Sequence, residues 1–208
     1  MKWFPNFTCM ACDAEIRTST NIYLCPKCMN SLPIMPEQQT FHYSPFIYEE
    51  PIRSMILKLK YGDNGFIAKA LAPYLAAIYL KHIQQNFDSP PIIIPVPLHK
   101  TRYRKRGYNQ SEILAKELAS YIKLPIITKV LIRHRKTIIQ KDMDIATRTK
   151  NLQGAFGVLP GEVEKIKNQN ILLLDDVYTT GATTKECAKV LRTHGIKNIA
   201  ILTIATVI

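Results

Sequence analysis

Residues 171–184 read ILLLDDVYTTGATT: four apolar residues, two adjacent carboxylates, then a turn rich in threonine around Gly181. An uninterrupted apolar run of this kind is expected to be a strand buried on both faces, as in the middle of a parallel sheet. Ligands of open parallel sheets gather at the carboxyl ends of the strands, so Asp175 and Asp176 should stand at the mouth of a crevice. The following Val177, Tyr178, Thr179, Thr180, Gly181, Ala182 and Thr183 should lead from that strand into a helix. Gly181 and its small neighbours let the backbone approach a phosphate, and the first amides of the helix would point at the anion. Carboxylates accept hydrogen bonds from sugar hydroxyls and bind Mg2+ directly or through water, while amides and hydroxyls of residues 179–183 donate to a phosphate dianion. Asp and Thr also serve as ordinary caps and turns. Their adjacency after four apolar residues is what points to a phosphorylated sugar.

Working outward, apolar strands alternate with amphipathic helices. Strands are expected at 92–97, 125–133, 171–177 and 198–206, with helices from Gln110 to Ile122 and from Thr183 to His194. Gly195 falls where a helix takes its left-handed terminal residue. This order predicts an α/β domain with a parallel sheet over 92–208. Residues 33–91 form a connecting or hood region: a proline-containing linker, strand character in HYSPFIY at 42–48, and Ile52, Met55, Ile56 and Leu59 at helical spacing before Gly62. A second helix is expected from Gly65 to Gln85, kinked or started at Pro73. Lys69, Pro73 and Lys81 interrupt its apolar stretch too often for about 20 residues crossing a bilayer. The amino terminus lacks the apolar stretch and cleavage site of a secretion signal, so a cytoplasmic protein without membrane insertion is expected. Cys187, at helical spacing with Val190 and Leu191, reads as a buried small hydrophobe.

The formal net charge of +12 is not spread evenly. Residues 1–98 and 151–208 are each +1, so residues 99–150 carry +10. Basicity concentrated in one segment suits a polyanion, whether the phosphates of a small molecule or a nucleic-acid backbone.

Four of the five cysteines, Cys9, Cys12, Cys25 and Cys28, form two Cys-x2-Cys pairs separated by twelve residues. Each pair can fold into a knuckle that aims two sulfurs at one ion. Residues 1–32 hold few large apolar side chains, so a metal would supply folding energy that a core cannot. Four thiolates leave no position for water, which makes structural zinc the expected occupant. Two disulfides or an iron centre are the alternatives.

On these residues the chain resembles known proteins. ILLLDDVYTTGATT is similar to the phosphoribosyl pyrophosphate (PRPP) signature of type I phosphoribosyltransferases. Together with Cys9–Cys28, LKLKYGD at 57–63, the segment from Ile94 to Ala119, RKTIIQ at 135–140 and RTKNLQGAF at 148–156, the whole resembles the ComF family of bacterial competence proteins. The resemblance implies a type I phosphoribosyltransferase fold with a small amino-terminal zinc knuckle, PRPP bound with Mg2+ by Asp175, Asp176, Val177, Tyr178, Thr179, Thr180, Gly181, Ala182 and Thr183, and a role in DNA uptake during natural transformation. It implies that a loop at Leu98–Arg106 faces the pyrophosphate, with Leu98, His99, Lys100, Arg102 and Arg106 as its contacts. A flexible hood over 133–151 would bring Arg135, Lys136, Thr137, Gln140, Arg148 and Asn151.

Two functions are then open. In one, the protein binds PRPP and grips single-stranded DNA through Arg102, Arg104, Lys105, Arg106, Arg135 and Lys136, with Tyr103 and Tyr108 stacking on bases. Other DNA-uptake or recombination proteins would be its further partners. In the other, the protein is an enzyme that transfers phosphoribose to a base, with Asp175 and Asp176 catalytic and Tyr43, Phe46, Tyr48 or Tyr61 against the acceptor.

Overall fold

A computed structural model describes residues 7–16, 23–38, 41–62, 65–135 and 152–208. The first of these form a small knuckle. Strands β1 (Phe7–Thr8) and β2 (Glu15–Ile16) pair antiparallel, and a short helix α1 (Pro26–Asn30) follows. Two further short strands, β3 (His42–Tyr43) and β4 (Phe46–Ile47), are pieces of one sheet edge broken at Ser44–Pro45. Proline has no amide proton for a ladder, which accounts for the break.

Helix α2 (Ile52–Tyr61) buries Ile52, Met55, Ile56 and Leu59, the positions that its spacing predicts. Helix α3 (Gly65–Ile78) begins at Gly65 and passes through Pro73, which lies on the exposed face of the helix. It continues as a wider turn over Tyr79–Ile83 and a tighter one over Gln84–Asn86.

Strand β5 (Ile92–Pro95) enters the sheet, and α4 (Lys100–Arg106) and α5 (Gln110–Ile122) follow it. The expected strand over 125–133 is not one strand. Only Ile126 bridges Ile93 in parallel; after bends at Thr128–Val130, β6 (Leu131–Arg133) leaves the sheet and pairs antiparallel with β7 (Phe156–Val158). Polar Thr128 and Lys129 divide the apolar run, and its second half finds a separate core against Phe156 and Ala155.

Strand β8 (Ile171–Tyr178), helix α6 (Ala182–Thr193) and strand β9 (Ile199–Thr206) complete the fold. The sheet order is β3-β9-β8-β5, all parallel, with β4 also paired to β9. Leu172 and Leu174 face a core shared with α2, α3 and α5, whereas Ile171 and Leu173 face one built with α6, β6 and β7. Burial on both sides is why the strand shows no apolar–polar alternation. Gly195 has φ +85°, the left-handed conformation expected after α6. Among the described residues no helix is long and apolar enough to cross a membrane.

Candidate functional site

The carboxyl end of β8 and the amino end of α5 meet in one polar network. Asn109 caps α5 by accepting from the Ser111 amide at 3.1 Å, and its Nδ2 donates to the Val96 carbonyl at 3.0 Å, which ties the helix start to the end of β5. The next two side chains then reach the acids. Ser111 Oγ donates to Asp175 Oδ1 at 2.9 Å, and Gln110 Nε2 donates to Asp176 Oδ2 at 2.8 Å. Lys60, from the end of α2, places its Nζ 3.1 Å from the same Asp176 oxygen. Arg106 Nη1 donates to Gln110 Oε1 at 2.9 Å. Both acids are largely buried. Burial, and after it the charge of Asp176, pushes the Asp175 carboxyl up to about 7, against the opposing pull of the Asp176 amide, Ser111 and Lys60.

Beside the acids lies a cavity of about 280 Å3. Arg102, Arg106, Arg133 and residues 175–184 all line it. Burial first, then the neighbouring Arg106, holds Arg102 below the usual arginine range; burial first, then Arg102, does the same to Arg133. Three guanidiniums that repel one another in partial burial make a site suited to a polyanion.

The turn after β8 is shaped by Gly181, which has φ +72° and precedes α6. A Cβ there would run into the phenol end of Tyr178. The Thr184 hydroxyl donates to the Gly181 carbonyl at 3.1 Å, and the Lys185 amide donates to it at 2.8 Å. Gly181→Ala should therefore cost at least about 2 kcal/mol, from the left-handed backbone and the collision together, and should loosen the turn. Urea unfolding of the variant checks the cost; a loss within about 0.5 kcal/mol would contradict it.

At the other end of the chain, the sulfurs of Cys9, Cys12, Cys25 and Cys28 all lie within 4.8 Å of one another. Cys12 and Cys25 are 3.8 Å apart, close to the edge of a sulfur tetrahedron about an ion with metal–sulfur bonds of about 2.3 Å. Burial raises the Cys9 thiol, but backbone hydrogen bonds from Cys12, Cys25 and Ala11 bring it down to about 6. Burial, then the neighbouring sulfurs, pushes Cys28 well up. Such a set ionises together only around a cation. The four cysteines fit a tetrahedral metal.

A model of the phosphoribosyl transferase domain matches residues 67–208. Competence protein F of Haemophilus influenzae is 30% identical over 203 residues, 97% of this chain and 84% of the relative. The chain belongs to the ComF family. The DNA utilization protein YhgH of Salmonella typhimurium is 29% identical over 179 residues, 85% of this chain and 75% of that protein. The PRPP amidotransferase of B. subtilis, solved with ADP and GMP, is similar at 17% identity with a TM-score of 0.44, covering 71% of this chain and 30% of that one.

This ComF-family chain brings many of the anticipated residues together and separates others. Leu98, Arg102, Arg106 and the run from Asp175 to Thr183 all line the cavity. The segment Leu98–Arg106, expected as a loop, is mostly α4: His99 Nδ1 accepts from the Thr101 amide at 3.3 Å as its cap, and Gly107 at φ +80° ends it. His99 is thus buried as the cap of α4, and Lys100 is exposed. Helical geometry divides the basic run, because Arg102 and Arg106, one turn apart, face the cavity while Lys100, Tyr103, Arg104 and Lys105 are exposed. Arg135 donates to the Gln153 carbonyl at 2.6 Å. Lys136, Thr137, Gln140, Arg148 and Asn151 lie outside the described residues. Of the aromatic side chains expected at an acceptor, Tyr43 and Phe46 are buried in the core, Tyr48 is half-buried, and Tyr61 is exposed beneath Arg106, 4.9 Å from its ring centre. Tyr108 donates to the Leu59 carbonyl at 2.7 Å, securing α2 over the site. Sequence reasoning missed Lys60, Ser111 and Arg133 as site residues. Lys60 and Ser111 fall inside segments that carry the family resemblance, which is the one signal in the sequence that marks them.

Proposed function

We propose that this ComF-family protein binds PRPP with Mg2+ in the cavity and single-stranded DNA on the outward face of α4, acting in DNA uptake during natural transformation. One observation carries the reading: a carboxylate pair, a glycine turn before a helix, and three guanidiniums line one crevice. The assignment follows charge and donor type. Asp175 and Asp176 accept from the ribose hydroxyls; the amides and hydroxyls of residues 179–183 take the 5-phosphate; Arg102, Arg106 and Arg133 take the pyrophosphate. Mg2+ bound with PRPP would offset the pyrophosphate charge. Zinc, held by Cys9, Cys12, Cys25 and Cys28, would keep the knuckle folded. Calorimetric titration of the protein with PRPP and Mg2+ tests the central claim, and absence of binding heat at millimolar ligand would end it.

The three arginines also support the second reading, phosphoribose transfer to a base. They would steady the departing pyrophosphate, and the chemistry needs no side-chain nucleophile. Pyrophosphate release from PRPP that depends on an added base is its test.

The division of α4 makes the DNA reading separable from the PRPP reading. Arg104→Ala with Lys105→Ala should weaken oligonucleotide binding about 10-fold at low salt, since each removes a phosphate contact, and should leave PRPP affinity unchanged. Arg102→Ala should weaken PRPP. An oligonucleotide shift that ignores salt and the first pair of changes would remove α4 as the DNA surface.

A further inference from the structure

Gln110 is buried at the first turn of α5, and a single amide spends its two ends on opposite kinds of partner. Its Nε2 donates to Asp176 Oδ2 at 2.8 Å, and its Oε1 accepts from Arg106 Nη1 at 2.9 Å. A carboxylate only accepts and a guanidinium only donates, so these partners fix which end of the amide is which. The backbone beneath it is equally fixed, because Asn109 caps α5 and donates to the Val96 carbonyl at the end of β5.

Neither partner is held by Gln110 alone. Asp176 Oδ2 also meets Lys60 Nζ at 3.1 Å, and the Arg106 guanidinium stands over the Tyr61 ring, 4.9 Å from its centre. Gln110 therefore joins two groups that each have a second anchor on α2. Glutamine suits the place by its chemistry. Glutamate could keep Arg106 but would set a like charge against Asp176, and methionine, of similar length, has no amide to offer either of them.

We infer that Gln110 is a positioning residue that couples the two halves of the PRPP site: through one amide it orients Asp176 for the ribose and Arg106 for the pyrophosphate, so filling either half favours filling the other. The inference rests on the PRPP reading of the cavity. A ribose hydroxyl that fixes Asp176 also fixes the amide, and the amide then holds Arg106 ready, so the second ligand orders less of the chain than it would alone. Such a coupling is reciprocal, and each ligand should raise the affinity of the other by the same factor.

Calorimetric titration with Mg2+ tests it. Ribose 5-phosphate and pyrophosphate are each titrated alone and with the other saturating, into wild type and into Gln110→Met. The factor by which one ligand changes the affinity of the other should be roughly 5-fold larger in wild type than in the variant. Repulsion between the two anions is common to both proteins, so the difference isolates the amide. Weaker binding of both ligands to the variant with an equal factor in the two proteins would overturn the inference, since a purely structural role does the same. If Gln110→Met does not fold, Gln110→Asn, which keeps the amide but shortens its reach by a methylene, carries the same expectation, and an undiminished factor in it is equally fatal. Wild type that binds PRPP yet shows no coupling would overturn the inference and leave the PRPP reading standing. Wild type that binds neither PRPP nor pyrophosphate would remove both.

Discussion

Asp175→Asn is expected to melt at a higher temperature than wild type at pH 8 and to bind PRPP with Mg2+ roughly 100-fold more weakly. Both halves follow from one burial. Asp175 Oδ1 accepts from Ser111 Oγ and from the Asp176 amide, each at 2.9 Å, and an asparagine oxygen can keep both bonds. What the amide gives up is the charge, which is unfavourable in the ligand-free fold because of burial and the adjacent Asp176. The same charge is what would accept from ribose hydroxyls and face the Mg2+ shell. A site that is costly to the free fold and needed by the ligand is the usual trade between stability and function.

The pH dependence follows from two groups that act in opposite directions. A carboxyl raised on folding from 3.8 to about 7 gives stability that is complete below 3.8 and lost as pH rises through about 7. His42 is the reverse: burial lowers it from 6.5 to about 4, so its contribution is complete above 6.5 and lost as pH falls through about 4. Between about pH 4 and 6.5 the two slopes oppose, and wild type should show little net change from this pair. In Asp175→Asn only the histidine slope remains, up to about 1.4 kcal/mol per pH unit, so stability should climb with pH across that window. Chemical denaturation at several pH values reads it directly. A variant that follows the wild-type curve, or melts below it at pH 8, would show that Asp175 does not carry the buried charge.

The acid pair and its turn were legible in the sequence because their signal is local: a strand buried on both faces, two charges at its tip, and a glycine at the one turn position that requires a left-handed backbone. The helix from Gln110 to Ile122 was equally plain, since its cap and its apolar stripe lie in consecutive residues. Lys60 was not legible, because nothing in LKLKYGD says that α2 will end over a strand formed much later in the chain. Arg102 and Arg104 are indistinguishable as letters in a basic run, and only the helical period of α4 sorts one toward the cavity and the other toward solvent. The stretch at 125–133 misled for the converse reason. Its apolar residues are real core residues, but Thr128 and Lys129 let the chain turn into a second, antiparallel pair whose partner, Phe156–Val158, is not adjacent in sequence.

Metal removal is expected to have the largest effect on the amino-terminal region. Wild type should carry one zinc ion per chain by elemental analysis, and Cys12→Ser almost none. The knuckle's own structure is too slight to stand alone: two-residue strands and a five-residue helix, where isolated helices need about 12–15 residues to be even marginal. A structural zinc site contributes about 10–16 kcal/mol of apparent binding free energy at neutral pH, far more than those elements can. Chelation should therefore abolish hydrogen-exchange protection at the amides of residues 7–16 and 23–32. The loss should also spread. Cys9, Cys28, Ile16 and Leu24 pack in the same core as α2 and α3, and Lys58 on α2 holds the Asp13 carboxylate at 2.7 Å and the Ala11 carbonyl at 3.1 Å. Helix α2 carries Lys60 to Asp176, so a loosened knuckle should weaken PRPP binding, by less than Asp175→Asn does because the acids and the Gly181 turn remain on β8. Metal-free wild type with full exchange protection and an unchanged melting temperature would show that the four sulfurs do not hold the fold.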